Sequence, residues 1–320
     1  MAEITGLVLP FFGMILLGFV AARITRQPAE ALGWLNTFII YIALPALFFK
    51  LVSKTPIEQL TRVDFILANV SATYLVFGLI FAAGLFLRRA TVGEATVQGL
   101  AAAYGNIGYM GPGLALLAFG EPAAVPVALV FCFENMLHFM AAPALMSLSG
   151  GERRRLAVVI GEIVRRIVTH PFILATAAGF VAAFFAFEAP VPLQRLIDYL
   201  AQAAAPCALF AMGVTLALRP IKRVPVEIGY IVPAKLLLLP VTMYLVLGAA
   251  GNFDPVWLYT AVLLAALPTA TNVFVIGQQY GVWQERASAT ILITTVLSVA
   301  TVTALLYMIK SSLLPGDPFP

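Results

Sequence analysis

Residues 104–113 read Tyr104-Gly105-Asn106-Ile107-Gly108-Tyr109-Met110-Gly111-Pro112-Gly113. Four glycines and one proline fall between Gly105 and Gly113, inside an otherwise continuous apolar run. Each Gly in a helix interior costs ~1 kcal/mol and Pro ~3 kcal/mol relative to Ala, so a helix entering this stretch is expected to break. A second apolar run carries Leu267-Pro268-Thr269-Ala270-Thr271-Asn272 at its own middle. In both runs the interruption lies about a dozen residues in, near half the ~30 Å hydrocarbon thickness of a bilayer. Broken backbone in hydrocarbon is tolerated only where protein buries it or where it lines a wet cavity. A proline kink packed with small residues explains either interruption taken alone. Both together, symmetrically placed, point to a site.

The composition around these runs is that of a membrane protein. The chain has 320 residues, 62% hydrophobic and 11% charged, with mean hydropathy +0.98. An average soluble domain carries roughly 25% charged residues, so a water-soluble enzyme is excluded. The apolar runs are too long and continuous for the alternating ~10-residue segments of an outer-membrane barrel. The first run, Ile4 to Ala22, lacks a basic leader region and ends at Arg23, which reads as an uncleaved first span. Cys132 and Cys207 both fall in apolar runs, so neither a disulfide framework nor a zinc site is indicated.

Cutting the runs at charges and Pro/Gly breaks predicts ten transmembrane helices, near 4–24, 30–52, 64–87, 94–119, 121–148, 166–187, 193–218, 225–250, 255–281 and 284–310. One face receives thirteen basic residues: Arg23, Arg26, Arg88, Arg89, Arg153, Arg154, Arg155, Arg165, Arg166, Arg219, Lys222, Arg223 and Arg286. The other receives only Lys50, Lys54, Arg62, Arg195 and Lys310, and Lys235 lies within a span. Positive-inside placement then puts both termini outside.

The chain also matches itself at an offset of 161 residues. Pro10-Phe11 falls on Pro171-Phe172, and Gly18-Phe19-Val20-Ala21-Ala22 on Gly179-Phe180-Val181-Ala182-Ala183. Ala43 and Pro45 meet Ala204 and Pro206, and Phe119-Gly120 meets Tyr280-Gly281. Prolines and glycines kept in phase over more than a hundred residues indicate a duplication. Residues 1–155 form the first five-helix repeat and 156–320 the second. Five being odd, the second repeat enters the membrane from the other side, the inverted-topology architecture of many secondary transporters. The fold expected is all-α and polytopic, with helices 4 and 9 broken.

Candidate functional residues follow from that architecture. Half-helices starting at the breaks expose amides, and Pro112 suits the first turn of one of them; two such ends can favour an anion. Asn106, Thr269, Thr271 and Asn272 supply neutral donors and acceptors, with Gly105, Tyr109 and Pro268 in the breaks themselves. Tyr41 and Phe48 are candidate apolar lining residues, although aromatics at helical spacing are more often core. Glu134 and His138, four apart and on one face of span 5, are candidates for substrate binding or proton coupling. An intramembrane carboxylate is protonated, paired or facing water, and is functional by default; a hydrogen-bonded structural pair, with Asn135 beside it, is the alternative. Lys235 lies too deep in span 8 for snorkelling. Pairing with Glu134 and countering a substrate carboxylate both remain open for it. No G-x-x-x-x-G-K-[ST] or H-E-x-x-H occurs, so neither ATP hydrolysis nor zinc hydrolysis is indicated.

The stretches Asn36 to Leu51, Asn106 to Gly120, Ala203 to Gly213 and Leu267 to Gly281 resemble the auxin efflux carrier family, and the likeness extends over all ten spans. The resemblance implies a scaffold from spans 1, 2, 6 and 7 and a core from spans 3–5 and 8–10, similar to the bile-acid:sodium symporter fold. In that core spans 4 and 9 cross. It further implies an organic-anion substrate of the malonate, malate or auxin type, with Asn106 as the crossover asparagine and Pro268 as the span-9 crossover proline. Glu134 falls at a polar position near substrate, and Phe48 where span 2 faces the ligand. Two positions depart from the family pattern: Gly105 stands where proline is frequent, and the later proline is Pro112 instead of residue 113. About 17 residues join spans 5 and 6, which matches compact bacterial members.

The expected protein is a non-enzymatic secondary carrier of small organic anions, multi-pass in the cytoplasmic (inner) membrane and working by alternating access. It has no cofactor beyond H+ or Na+ coupling and no nucleic-acid partner. The lipid bilayer surrounds it, and the resemblance implies a homodimer. A non-transporting sensor or an anion channel on the same fold is the alternative.

Overall fold

The computed structural model describes residues 2–148, 161, 164, 165, 168–218, 224 and 226–319. The boundary between the expected repeats and seven of the basic residues (Arg153, Arg154, Arg155, Arg166, Arg219, Lys222 and Arg223) lie outside the described residues. The described chain is all-helical and contains no β-strand. Among the described residues, seven helices are long and apolar enough to cross a bilayer. These are α1 (Val8–Thr25 of a helix that starts at Ala2), α2 (Glu30–Ser53), α3 (Val63–Leu87), α6 (Glu121–Ser147), α8 (Val191–Leu218), α9 (Ile228–Ala250) and α12 (Gln284–Lys310). Between them lie α4 (Val92–Ala103), α5 (Gly111–Phe119), α7 (Pro171–Phe184), α10 (Pro255–Ala266) and α11 (Asn272–Gln279). The runs expected at 94–119 and 255–281 are therefore each two shorter helices. Both first halves, α4 and α10, are 12 residues long.

The helix ends obey local chemistry. A capping box starts α4: the Thr91 hydroxyl accepts from the Glu94 amide while the Glu94 carboxylate accepts from the Thr91 amide. The Asp254 carboxylate caps α10 through the Val256 amide, and Pro112 occupies the first turn of α5. Two π-helical turns, Ile39–Ala43 in α2 and Ala234–Leu238 in α9, lie just N-terminal to Pro45 and Pro240. A proline has no N–H and crowds the carbonyl four residues back, and a widened turn relieves that clash.

The chain divides into two compact units: residues 1–63, 108–132 and 168–220 in one, residues 64–107, 133–167 and 221–320 in the other. In the first unit α1 lies against α8 with glycines at the contact. A Cβ on Gly18 would stand 2.1 Å from the Phe210 carbonyl oxygen, and one on Gly213 would stand 1.9 Å from that of Ile15. Without water to drive association, membrane helices gain from such close backbone approach. Phe48, Phe131 and Phe172 cluster nearby, and Lys50 pairs with Asp198 at 2.8 Å.

In the second unit Phe65 meets Phe253 and Trp257 edge-on, and Arg286 pairs with Glu227 at 2.9 Å. The Tyr244 and Tyr259 hydroxyls donate to the carbonyls of Pro315 and Leu314, tying the segment after α12 to α9 and α10.

The glycine contact is directly testable. Gly213→Leu forces α1 and α8 apart and is expected to lower stability by about 1–3 kcal/mol, the usual range for overpacking. Gly13→Ala, at a position with no atom within 4 Å, is expected to stay within about 0.5 kcal/mol. Denaturant unfolding in detergent micelles checks the pair; equal losses would refute the steric argument.

Candidate functional site

The two interruptions meet in the second unit. Tyr104, the C-cap of α4, leaves the helix with extended backbone (φ −83°, ψ 99°), and Leu267 does the same at the end of α10 (φ −63°, ψ 152°). The segments then pair as a single antiparallel bridge, Gly105 with Thr269. The Asn106 amide donates to the Pro268 carbonyl at 2.8 Å, and the Ala270 amide to the Tyr104 carbonyl at 2.9 Å. Thr269 completes the joint: its hydroxyl donates to the Ala101 carbonyl at 2.7 Å, and its amide to the Thr294 hydroxyl of α12 at 3.2 Å. An unpaired buried amide or carbonyl costs several kcal/mol in hydrocarbon, so each break supplies the partners that the other lacks. Gly105 has little spare room: a Cβ there would stand 3.0 Å from the Leu264 carbonyl oxygen and 3.4 Å from the Lys235 ammonium.

Charged and polar groups gather around this joint. Lys235 is fully buried on the π-helical turn of α9, and its Nζ donates to the Ala265 carbonyl at 2.5 Å. That carbonyl belongs to the last turn of α10, the negative end of the half-helix, where a cation is favoured. Glu134, in α6, accepts from Asn69 Nδ2 and from Thr73 Oγ1, each at 2.8 Å, and it also interacts electrostatically with Lys235. His138, one turn further along α6, has 0% exposure. Its Nδ1 lies 3.3 Å from the Tyr74 hydroxyl, its ring stacks on Tyr104 at 4.2 Å, and its Nε2 has no hydrogen-bond partner among the described residues. Asn69 Oδ1 is likewise buried without a partner among the described residues. Such orphaned atoms inside a polar cluster are places for a ligand, a proton or a water.

The residues expected from the sequence thus separate into two groups. Gly105, Asn106, Pro268, Thr269, Thr271, Asn272, Glu134, His138 and Lys235 all belong to the second unit. Asn106 is 3% exposed. Thr271 opens α11, and Asn272 is its first residue, partly exposed, with Nδ2 donating to the Tyr104 hydroxyl at 2.7 Å. Glu134 and His138 share a helix face but have different hydrogen-bond partners.

Tyr41, Phe48, Tyr109 and Pro112 belong to the first unit. There Tyr41 is exposed, while Phe48 is completely enclosed and stacks on Phe131 at 4.0 Å. Tyr109 precedes α5, and Pro112 is buried in its first turn. Sequence reading passed over Asn69, Thr73, Tyr74 and Tyr104. Asn69 and Thr73 left a usable signal, two polar residues four apart in an otherwise apolar span, which is one helix face. Tyr104 left none, since an aromatic beside alanines reads as packing.

A polytopic helical protein with two mid-span breaks joined through their backbones, and with buried charges beside them, has the form of a membrane transporter. A family model described as a membrane transport protein matches residues 3–121 and 120–308. The chain belongs to this family, the auxin efflux carriers. It is 74% identical over 320 residues, the whole of both chains, to a Rhizobium meliloti (strain 1021) protein named "Putative malonate transporter". It is 26% identical over 312 residues to the uncharacterized transporter YfdV of Escherichia coli K12, covering 95% of this chain and 96% of that one. The mouse lysosomal cholesterol signaling protein is 24% identical over 322 residues, which span 90% of this chain and 35% of the mouse protein.

The buried charges allow a sharp test. If Lys235 balances the buried Glu134 across the unit, Lys235→Met should cost about 3–5 kcal/mol, the loss seen when one member of a buried charge pair is removed. The double change Lys235→Met with Glu134→Gln should recover more than half of that loss. A double-mutant cycle of unfolding in detergent measures the coupling; strictly additive losses would show that the two charges act separately.

Proposed function

We propose that this protein is a secondary carrier of malonate and related small dicarboxylates, moving them across the cytoplasmic membrane by alternating access. The observation that carries this reading is the 74% identity over the full length to a relative named for malonate transport, taken with the polar joint between the broken helices. Ten spans arranged as two inverted five-helix repeats, with both termini outside, are the topology that goes with it. The division of the chain into two compact units suits a carrier in which one body moves against the other, as in folds built from inverted repeats.

The carboxylate is bound by the amides of Asn106 and Asn272 with Thr271 and the start of α11, groups that offer donors without a full opposing charge. Thr269 and Pro268 hold the joint. Lys235 has no exposed surface, so it contributes a fixed positive field and makes no direct contact with the cargo. Glu134 and His138 carry the coupling proton, and the orphaned His138 Nε2 is an available acceptor or donor for it.

Purified protein in proteoliposomes is expected to take up radiolabelled malonate saturably and to exchange it by counterflow. Asn106→Ala should lower uptake at subsaturating malonate about tenfold or more, the effect of losing one hydrogen bond to a charged ligand at about 1.5–3 kcal/mol. An inward proton gradient should accelerate wild-type uptake, and Glu134→Gln should abolish that acceleration while leaving counterflow. Acceleration by a sodium gradient alone would assign the coupling to Na+. Flux that neither saturates nor shows counterflow would make the protein a channel, and no flux for any carboxylate would favour a sensor.

A further inference from the structure

Tyr104 stands apart from every residue assigned so far. It is 1% exposed, yet it touches four elements of its unit. Its amide closes the last turn of α4 on Leu100, and its carbonyl accepts from Ala270 in the other break. Its ring stacks on His138 of α6, at 4.2 Å and 30°. Its hydroxyl donates to Asn135 Oδ1 on α6 and accepts from Asn272 Nδ2 at the start of α11.

The direction of this chain of bonds matters. A phenol has a single proton, and here Asn135 Oδ1 receives it. Towards Asn272 the Tyr104 oxygen can then only accept, so the Asn272 side chain must turn its NH2 group inward. While Asn135 presents its Oδ1, a flipped Asn272 would set its carbonyl against the Tyr104 oxygen with no proton between them, so the NH2 group stays inward and its second N–H can serve a ligand. Asn272 is partly exposed and Tyr104 is not, so a ligand meets the amide first and the phenol lies behind it. A donor held in this way favours an anion, because no reorganisation is needed when the anion arrives.

We propose that Tyr104 is a positioning residue of the anion site: its hydroxyl, oriented by Asn135, fixes Asn272 as a donor and so sets the affinity for a carboxylate substrate. The inference rests on the carrier reading given above. Its chemistry extends to selectivity. A ligand presenting an N–H or a cation at this point would need the Asn272 carbonyl, and the chain of bonds from Asn135 through Tyr104 holds that carbonyl away.

The test compares wild type, Tyr104→Phe, Asn135→Leu and the double variant in proteoliposomes, with malonate as the probe. Tyr104→Phe keeps the ring that stacks on His138 and removes only the hydroxyl. The KM for malonate is expected to rise about tenfold in each single variant, with the maximal rate within about twofold. The double variant should be no worse than either single, since both cut the same chain. Thermal unfolding provides a second readout: the malonate concentration needed for a given rise in the midpoint should be about tenfold higher for Tyr104→Phe than for wild type.

An unchanged KM, or additive defects in the double variant, would overturn the positioning role. So would a lowered unliganded midpoint as the sole effect of Tyr104→Phe. If Tyr104→Phe does not fold, Asn135→Leu gives the same readout. Absence of malonate uptake and of malonate stabilisation in wild type would overturn the carrier reading and this inference together. A normal wild type beside an unaffected Tyr104→Phe overturns this inference alone.

Discussion

Hydrocarbon offers no water to an unpaired amide, and this sets the terms for the second unit. Where α4 and α10 stop short, the orphaned groups have to be satisfied by protein, and each break serves the other. Asn106 donates to Pro268, Ala270 donates to Tyr104, and the Thr269 hydroxyl reaches back to Ala101. Remove this exchange and both spans must either rewind into helices that their glycines and prolines oppose or expose bare backbone to lipid. The remaining polar groups follow from it. Lys235 meets the carbonyl end of α10 through Ala265, and Glu134 brings a buried carboxyl group to the same unit. Asn69 and Thr73 then hold the carboxylate.

Much of this arrangement could be read directly from the amino acids. Among the described residues seven of the expected runs are helices long enough to cross a bilayer, two divide, and the run expected at 166–187 holds the shorter helix Pro171–Phe184. Glycine at Gly105, Gly108 and Gly111 and proline at Pro112 and Pro268 announced those divisions, because their backbone cost is local and does not depend on the partner. The ionisable residues in spans 5 and 8 were equally visible, since an intramembrane charge stands out against leucine and valine.

What the sequence concealed is which polar group meets which. The span-8 lysine had two open assignments, and the structure adds a third, the Ala265 carbonyl at the end of a half-helix. That partner is backbone and leaves no mark in a sequence. Tyr104 was concealed for a related reason: its role comes from three contacts distant in the chain, while its own neighbours are alanines. Phe48 shows the converse. Its place in span 2 suggested a ligand-facing ring, and in this conformation Phe131 and Phe172 cover it.

The presence of Lys235 and Glu134 in one unit has an electrical consequence. Both reside in one compact unit, so any displacement of that unit along the membrane normal carries the Lys235 amine and the Glu134 carboxyl together. A single charge crossing 100 mV changes energy by about 2.3 kcal/mol, whereas a cation and an anion moving as a pair nearly cancel. Opposite charges held this close in depth would leave the unit with almost no net coupling to the membrane voltage.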